Sequence, residues 1–334
     1  MQKAQFYTKE NGRVTCLLCP RRCNLEEGQE GICGARRVME GELYSVNYGL
    51  CSAVHWDPVE KKPLYHFYPG KSILSLGTYG CNLLCRFCQN WSIARGKPTA
   101  HDGLPTTPAE ILAALRREGG PGDVAGVAFT YNEPTIWYEF LYDTARLVKK
   151  DGYRTVMVTN GYIGREPLEA LLPFIDAFNI DVKAFSDTFY RAYCRGTRGP
   201  VLDTVELAAA YSHVEITCLL IPTLNDNPAE LASLTDWLAG LSPEIPLHFS
   251  RYFPQYQMNL PPTPLETMEK ARADAHKKLH YVYLGNVDLP GAADTLCPAC
   301  ANLLISRRGY HTSLPGLEQS RCRRCNREIS LVLP

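Results

Sequence analysis

Three closely spaced cysteines, Cys81, Cys85 and Cys88, constrain this chain more than any other feature of its sequence. The spacing Cys-x3-Cys-x2-Cys lets one short loop turn three thiolates toward one side of an iron–sulfur cube. A ferredoxin-type carrier supplies four cysteines to such a cube, so this loop would leave one iron without a protein ligand. The alternatives are three buried cysteines or a structural zinc site, but zinc prefers four ligands in paired Cys-x2–4-Cys turns. The spacing therefore favours a cluster with one iron open to a small molecule.

Two further sets of cysteines suggest two more metal sites. The N-terminal set has the spacing Cys-x2-Cys-x3-Cys-x9-Cys and comprises Cys16, Cys19, Cys23 and Cys33. Four thiolates close a metal site, and both zinc and a second iron–sulfur cluster fit this spacing. The C-terminal set consists of two Cys-x2-Cys turns and comprises Cys297, Cys300, Cys322 and Cys325. Paired turns at this separation predict a tetrahedral zinc site.

The chain holds 14 cysteines in all, and Cys51, Cys194 and Cys218 stand outside these sets. We interpret these three as structural residues, since free cysteine behaves as a small buried hydrophobe. The N-terminal residues Met1 to Phe6 have no apolar core of the signal-peptide type. So many cysteines without an export signal indicate a reducing, cytoplasmic location and metal binding instead of disulfides.

Charge and hydropathy argue against two classes of function. The 35 basic and 35 acidic residues balance, so broad electrostatic binding of nucleic acid is not expected. No apolar run approaches the length of a membrane span. The tail is locally basic because of its arginines between residues 307 and 327. We interpret the tail as a solvated cap, and docking of RNA or an anionic partner is the alternative.

From Ser72 onward, apolar runs typical of buried parallel strands alternate with helical patterns. The predicted strands are Ser72 to Gly77, Val124 to Phe129, Thr155 to Thr159, Ala177 to Val182, His213 to Ile221 and Leu247 to Phe253. Helix starts are predicted where a capping side chain precedes proline, at Thr107, Asn227 and Thr263. Six β-α units with right-handed crossovers predict an α/β fold, a partial (β/α)6 TIM-type barrel; a closed barrel would need two more units.

The predicted domain organisation has four parts. Residues 1–56 form a Cys-rich metal-binding extension, and residues 57–71 form an ordered connector. Residues 72–288 form the partial barrel, and residues 289–334 form a zinc-ribbon-like tail.

Polar residues follow several of the predicted strands, at the end where parallel sheets and barrels bind ligands. They are Asn132, Glu133, Asn160, Asp181, Lys183, His248 and Arg251. Each has a plainer interpretation: Asn160 with Gly161 is a common turn pair, and Asp181 with Lys183 could be a surface ion pair. Together, beside the cysteine loop, they predict a polar pocket.

The central motif resembles that of the radical S-adenosylmethionine (SAM) superfamily. In that family SAM takes the open iron through its amino and carboxylate groups, and an aromatic residue at the position of Phe87 lies against the adenine. Tyr131-Asn132-Glu133-Pro134 stands where the family carries a Gly-Gly-Glu-Pro-like segment that binds the SAM amino group. The segments 159–161 and 181–183 resemble strand ends of glycyl-radical-activating enzymes, which contact ribose and carboxylate.

Over nearly the whole chain the sequence resembles the radical SAM enzyme of the AmmeMemoRadiSam system. The motifs that carry this resemblance are residues 16–23, 57–70, 130–135 and 248–254 and the tail cysteines. The resemblance implies MEMO-like and AMMECR-like partner proteins and a reductant protein of the flavodoxin or ferredoxin type.

We therefore interpret the chain as an enzyme that cleaves SAM reductively at a [4Fe–4S] cluster. The resulting 5′-deoxyadenosyl radical would abstract hydrogen from a substrate, and activation of a protein, as in glycyl-radical activases, is one such reaction. The alternative is a metal-scaffolded interaction or RNA-docking protein without radical chemistry. A scaffold has no use for an open iron, so the three-cysteine loop favours the enzyme.

Overall fold

A computed structural model describes residues 1–96 and 103–334. The N-terminal extension forms two small antiparallel sheets of three strands, ordered β1-β6-β5 and β2-β3-β4. Its strands are β1 (Gln2–Lys3), β2 (Tyr7–Glu10), β3 (Arg13–Cys16), β4 (Asn24–Leu25), β5 (Arg36–Met39), β6 (Glu42–Ser45) and β7 (Leu50–Cys51). A buried ion pair joins the extension to the rest of the protein, with Arg36 donating to both carboxylate oxygens of Glu139 at 2.9 and 3.0 Å.

An eight-stranded sheet, ordered β16-β15-β14-β13-β12-β11-β9-β8, forms the body of the protein. Its strands are β8 (Ala53–Pro58), β9 (Ser72–Gly77), β11 (Gly126–Phe129), β12 (Arg154–Thr159), β13 (Ala177–Asp181), β14 (His213–Leu220), β15 (Leu247–Arg251) and β16 (Val282–Gly285). Strand β10 (Leu104–Pro105) lies outside this sheet and pairs with β7. Strands β9 to β16 of this sheet run parallel, and β8 pairs antiparallel with β9 at one edge. The parallel sheet confirms the predicted α/β class. It has one parallel strand more than the six predicted, because β16 was not recognised.

Helices connect the parallel strands and cover the outer face of the sheet. They are α1 (Trp91–Ala94), α2 (Pro108–Glu118), α3 (Tyr138–Lys150), α4 (Arg165–Leu171), α5 (Asp187–Phe189), α6 (Gly199–Ala209), α7 (Pro228–Leu241) and α8 (Leu265–Ala275). Short 3-10 turns occupy Val59–Lys61, Pro134–Trp137 and Leu172–Phe174, and a π-helical turn occupies Tyr190–Cys194.

Two of the three predicted helix caps are confirmed. Thr107 and Glu110 form a reciprocal capping box at α2, and the Asn227 side chain accepts from the Glu230 amide at α7. The prediction for Thr263 was wrong, since α8 begins two residues later without a side-chain cap. The Thr263 hydroxyl instead donates to Leu220 O at 2.6 Å and accepts from Tyr252 N at 3.1 Å, joining the ends of β14 and β15.

The tail folds into short antiparallel strands that pack beneath the barrel. These are β17 (Thr295–Leu296), β18 (Leu303–Arg308), β19 (His311–Ser313), β20 (Leu317–Glu318) and β21 (Arg321–Cys322). The last residues reach the connector, where Tyr68 N donates to Val332 O at 2.7 Å and Val332 N donates to His66 O at 2.8 Å. Connector and tail therefore close the end of the barrel at which the parallel strands begin.

A buried polar network fills that closed end. The carboxylate of Glu215 accepts from His66 N at 2.7 Å and lies 3.0 Å from His213 Nε2 and 2.6 Å from His248 Nε2. Burial opposes ionisation of Glu215, but the hydrogen bonds with His213 and His248 hold its pKa well below the usual range. Burial lowers the pKa of His66 to about 4, and its Nε2 lies 2.6 Å from the Tyr283 hydroxyl. The network links strands β14, β15 and β16 to the connector.

Candidate functional site

A cavity of about 180 Å³ lies at the opposite end of the barrel, at the carboxyl ends of the strands. Cys81, Cys85 and Cys88 all line it. The other residues from the predicted site that line it are Phe87, Asn132, Glu133, Asn160, Asp181 and Lys183. The structure thus brings the three cysteines and most of the predicted rim into one polar cavity.

The loop that carries the three cysteines leaves β9 and is positioned by asparagine side chains. Asn132 accepts from Thr78 N at 3.1 Å and donates to Gly80 O at 2.8 Å. Asn160 donates to Asn82 Oδ1 at 2.9 Å, and Asn82 is itself fully buried. Buried amides must find partners, so these bonds fix the path of the loop around the cavity. Asn132 and Asn160 therefore hold the loop in place by hydrogen bonds and also line the cavity.

Tyr131 adopts a left-handed backbone conformation, with φ of 71°. A non-glycine residue pays a steric cost there. Contacts of the side chain offset that cost: its hydroxyl donates to Asp57 Oδ2 at 2.6 Å, and its ring lies 4.5 Å from Lys62 Nζ. Tyr131 thus joins this turn to the connector.

Glu133 is buried at the bottom of the cavity and already accepts three hydrogen bonds. Its Oε1 accepts from Thr135 N at 2.9 Å and Thr159 Oγ1 at 2.7 Å, and its Oε2 accepts from Asn160 N at 2.8 Å. Burial raises the pKa of Glu133, and these hydrogen bonds oppose the shift. A carboxylate offers about four acceptor positions, so Oε2 retains room for a further donor.

Lys183 and Asp181 form an ion pair at the end of β13. Burial alone would lower the pKa of Lys183, but Asp181 and Cys85 raise it well above its usual range. Lys183 is therefore a cation in this cavity, beside one of the three cysteines. The interpretation of this pair as an ordinary surface ion pair does not hold, because the side chain of Lys183 is only 17% exposed.

The three thiols are better suited to binding a metal than to reacting as free thiolates. Burial raises the pKa of Cys81 and of Cys88, so neither thiol loses its proton readily without a metal. Phe87 is buried and packs against Phe189 at 5.7 Å between ring centroids. All three cysteines line a cavity that is also lined by a lysine and a carboxylate, and this combination fits a cluster that has one open iron.

Two predicted contacts lie away from this cavity. His248 points into the buried network around Glu215 at the closed end of the barrel. Arg251 donates from Nε to Thr263 O at 2.7 Å and lies over the ring of Phe253. The strand that carries them contributes Ser250 to the cavity instead. Alternation along β15 places His248 and Ser250 on one face, a signal that could have identified Ser250.

The N-terminal cysteines lie against the central loop. The Gly80 backbone approaches so closely that an added Cβ would stand 2.2 Å from Cys33 O. Arg21 crosses to the same loop and donates to Asn82 O at 2.8 Å. Burial raises the pKa of Cys19 to about 12 and that of Cys33 to about 11, with the neighbouring thiols adding to both shifts.

The C-terminal cysteines form the tightest group. The sulfur atoms of Cys297, Cys300, Cys322 and Cys325 lie within 4.8 Å of one another, and among the described residues no other set of potential ligands converges so closely. Burial opposes ionisation of Cys322, but hydrogen bonds from the Cys325 and Arg324 amides and from neighbouring thiols lower its pKa to about 6. A metal site of four cysteines is therefore present in the tail.

Sequence reasoning missed several residues near the three cysteines. Arg95 and Thr217, like Ser250, line the cavity. Cys194, interpreted as structural, is fully buried, and its backbone oxygen accepts from Leu84 N of the cysteine loop at 2.9 Å. Leu84 and Cys194 are far apart in the sequence, and no motif links them.

Comparison with known proteins identifies the family. The family model for the radical SAM superfamily matches residues 75–235, from β9 into α7. A pyruvate formate-lyase-activating enzyme of Clostridium pasteurianum is 31% identical over 168 residues, 48% of this chain and 67% of that protein. This chain belongs to the radical SAM superfamily. An uncharacterized protein of Methanocaldococcus jannaschii, MJ0808, is 43% identical over the full length of both proteins.

A solved structure agrees with this radical SAM fold. Streptococcus suis SuiB bound to S-adenosylmethionine superposes with a TM-score of 0.52 at 14% sequence identity, over 70% of this chain and 55% of SuiB. At that identity the likeness concerns the fold alone. Within the described part of the chain, no helix is long and apolar enough to cross a bilayer.

We predict that Gly80→Ala will uncouple the N-terminal extension from the cysteine loop. Gly41 is a matched control, because its φ of +67° is also positive but nothing lies within 4 Å of an added Cβ, whereas Gly80 at +95° faces Cys33 O. Gly41→Ala should lower the free energy of unfolding by about 1–2 kcal/mol through backbone strain. Gly80→Ala should cost about 1–3 kcal/mol more and reduce bound iron.

Urea unfolding and an iron assay of anaerobically purified protein measure both effects. Equal destabilisation by the two substitutions, with unchanged iron, would show that the contact between Gly80 and Cys33 does not support the loop.

Proposed function

We propose that this protein is a radical SAM enzyme that cleaves SAM reductively at a [4Fe–4S] cluster bound by Cys81, Cys85 and Cys88. When bound, cluster and SAM together supply a 5′-deoxyadenosyl radical for hydrogen abstraction from a substrate. The observation that carries the proposal is the shared cavity: three cysteines line the same space as a partly buried lysine and a buried carboxylate. A structural metal site would not need that space.

The residues that line the cavity have the chemistry needed to bind SAM. Lys183 is cationic and suits the carboxylate or ribose oxygens, and the free acceptor position on Glu133 suits the ammonium group. Phe87 offers an apolar surface for the adenine, and Asn132 and Asn160 hold the loop at a fixed distance from both groups. Exclusion of water from such a cavity strengthens each of these interactions.

We further propose zinc at the four tail cysteines and either zinc or a second iron–sulfur cluster at the four N-terminal cysteines. Protein activation is the substrate class that the name of the Clostridium pasteurianum relative favours. We also propose a flavodoxin- or ferredoxin-type reductant and, from the sequence resemblance, MEMO-like and AMMECR-like partners. His248 and Arg251 do not line the cavity, so we do not include them among the SAM contacts.

The direct test replaces Cys81, Cys85 and Cys88 together with alanine. We predict loss of the reduced-cluster electron paramagnetic resonance signal and of 5′-deoxyadenosine in anaerobic assays with SAM and dithionite. Zinc in the tail should remain, because that site lies beneath the barrel. Cys51→Ala, at a buried cysteine outside the three sets, is the control and should retain both signals.

Continued 5′-deoxyadenosine production by the triple variant would refute the proposal. Iron that remains bound in the triple variant would indicate a second cluster at the N-terminal cysteines, whereas zinc there would give no residual iron.

The second test concerns SAM binding. Lys183→Met keeps most of the aliphatic stem and removes the charge, so SAM affinity should fall roughly ten- to a hundredfold, the scale of one charge-assisted hydrogen bond of about 1.5–3 kcal/mol. Lys149→Met, on a lysine that pairs with Asp176 outside the cavity, is the matched control. Anaerobic titration at equal cluster content measures both. Unchanged affinity in the Lys183 variant would mean that SAM is bound by other residues.

A further inference from the structure

Two contacts join the segment that carries the N-terminal cysteines to the loop around Cys81. Arg21, inside the first part of that segment, donates from Nε to Asn82 O at 2.8 Å. The backbone of Cys33 approaches Gly80 so closely that a Cβ added there would stand 2.2 Å from the Cys33 carbonyl oxygen. Gly80 and Asn82 are the immediate neighbours of Cys81 in the sequence. Both ends of the N-terminal set therefore meet the central loop beside the same cysteine.

The local fold gathers the N-terminal thiols. Cys16 and Cys23 are directly opposed where strands β3 and β4 meet, since Cys16 N donates to Cys23 O at 2.9 Å and continues the register of the pair. Opposed residues of antiparallel strands present their side chains on one face. Cys19 lies in the turn between them. Burial and, more weakly, the neighbouring thiols of this set raise the pKa values of Cys16, Cys19 and Cys33.

The spacing of the sulfur atoms separates this site from the tail site. Of all the residues that the structure describes, only the four tail cysteines bring three or more ligand atoms within 4.8 Å of one another. A single zinc ion needs such closeness, because its four sulfur atoms all lie about 2.3 Å from one centre. A cube of four irons binds each cysteine through a different iron, so its ligands stand further apart. The N-terminal thiols share the wider spacing of the three cavity cysteines.

A buried arginine beside the N-terminal set has an unused donor. Arg36 is fully buried, and its two Nη atoms donate to Glu139, but its Nε has no hydrogen-bond partner within residues 1–96 and 103–334. A Cβ added at Gly31 would stand 3.7 Å from Cys33 Sγ and 3.7 Å from Arg36 Cβ, so the two residues are neighbours. A buried donor without a partner costs free energy and indicates an acceptor that arrives with a bound group. The sulfides and thiolates of an iron–sulfur cluster are such acceptors.

We propose that the four N-terminal cysteines bind a second [4Fe–4S] cluster, which passes electrons to the cluster in the cavity. The inference rests on the proposed function, because SAM cleavage in the cavity consumes the electron. A reductant of the flavodoxin or ferredoxin type loses one electron at the N-terminal cysteines, and the contact between Cys33 and Gly80 gives that electron a short path to the central loop. Each transfer oxidises the donor and reduces the acceptor by one electron, and no bond forms or breaks.

Zinc at the N-terminal cysteines makes different predictions. Zinc has no redox chemistry, so it would stabilise the extension without any effect on how fast the cavity cluster is reduced. It would also leave the protein without iron once the three cavity cysteines are removed.

The first measurement counts iron, acid-labile sulfide and zinc in anaerobically reconstituted full-length protein. We expect roughly eight iron atoms per chain in the wild type and roughly four in the triple alanine variant of the cavity cysteines, since each cluster holds four. The double variant Cys19→Ala, Cys33→Ala should also lose roughly four. Cys218→Ala, at a buried cysteine outside the three sets, is the control and should lose none.

The second measurement uses rapid freeze-quench electron paramagnetic resonance to follow reduction of the cavity cluster by reduced flavodoxin. The double variant should keep the cavity cluster and its affinity for SAM but lose the fast phase of reduction, whereas Cys218→Ala should retain that phase. If the double variant does not fold, the triple variant still decides whether the second cluster exists, because its N-terminal set is intact. In that case the relay is tested on wild-type protein, whose two reduced clusters should couple magnetically and broaden the spectrum relative to the triple variant.

A triple variant that holds zinc at the N-terminal cysteines and no iron would overturn the second cluster. An unchanged rate of reduction in the double variant, or an unbroadened wild-type spectrum, would overturn the relay. Failure of the proposed function looks different, since wild-type protein and the triple variant would then hold equal amounts of iron and neither would form 5′-deoxyadenosine.

Discussion

The buried carboxylate of Glu133 is the constraint on which the site depends. It accepts a hydrogen bond from Thr135 N in its own turn. It also accepts hydrogen bonds from Thr159 Oγ1 and Asn160 N at the end of the neighbouring strand β12. These bonds set the positions of Asn132 and Asn160, which in turn hold the cysteine loop. A buried carboxyl group costs free energy unless it is hydrogen-bonded, so the burial of Glu133 and the position of the cysteine loop depend on each other.

The rest of the chain encloses that arrangement from three sides. The N-terminal extension lies against Gly80, the π-helical turn at Tyr190–Cys194 lies against Cys85, and the connector reaches Tyr131 through Asp57. At the other end of the barrel, the histidines around Glu215 lock the connector beneath the sheet. The cavity lined by Cys81, Cys85 and Cys88 lies at the opposite end of the barrel from the tail.

Much of this fold could be predicted from short stretches of sequence. The hydrogen-bond partners of individual side chains could not, because they depend on tertiary contacts. The helix caps at Thr107 and Asn227 and the long apolar strands could be predicted because their determinants lie within a few residues. Strand β16 was not predicted, although it is as long as β11, which was. Thr263 looked like a cap, but its hydroxyl bonds β14 and β15 instead. His248 illustrates the same limit, since its partner Glu215 is distant in the sequence.

The central claim is that SAM binds the open iron of the cluster held by Cys81, Cys85 and Cys88. The most direct test is electron–nuclear double resonance on the reduced protein, with SAM labelled with ¹⁵N at the amino group and ¹⁷O at the carboxylate. We expect hyperfine coupling between the cluster spin and both labels. A fully assembled cluster that shows no coupling to either label, under conditions in which SAM is bound, would contradict the account.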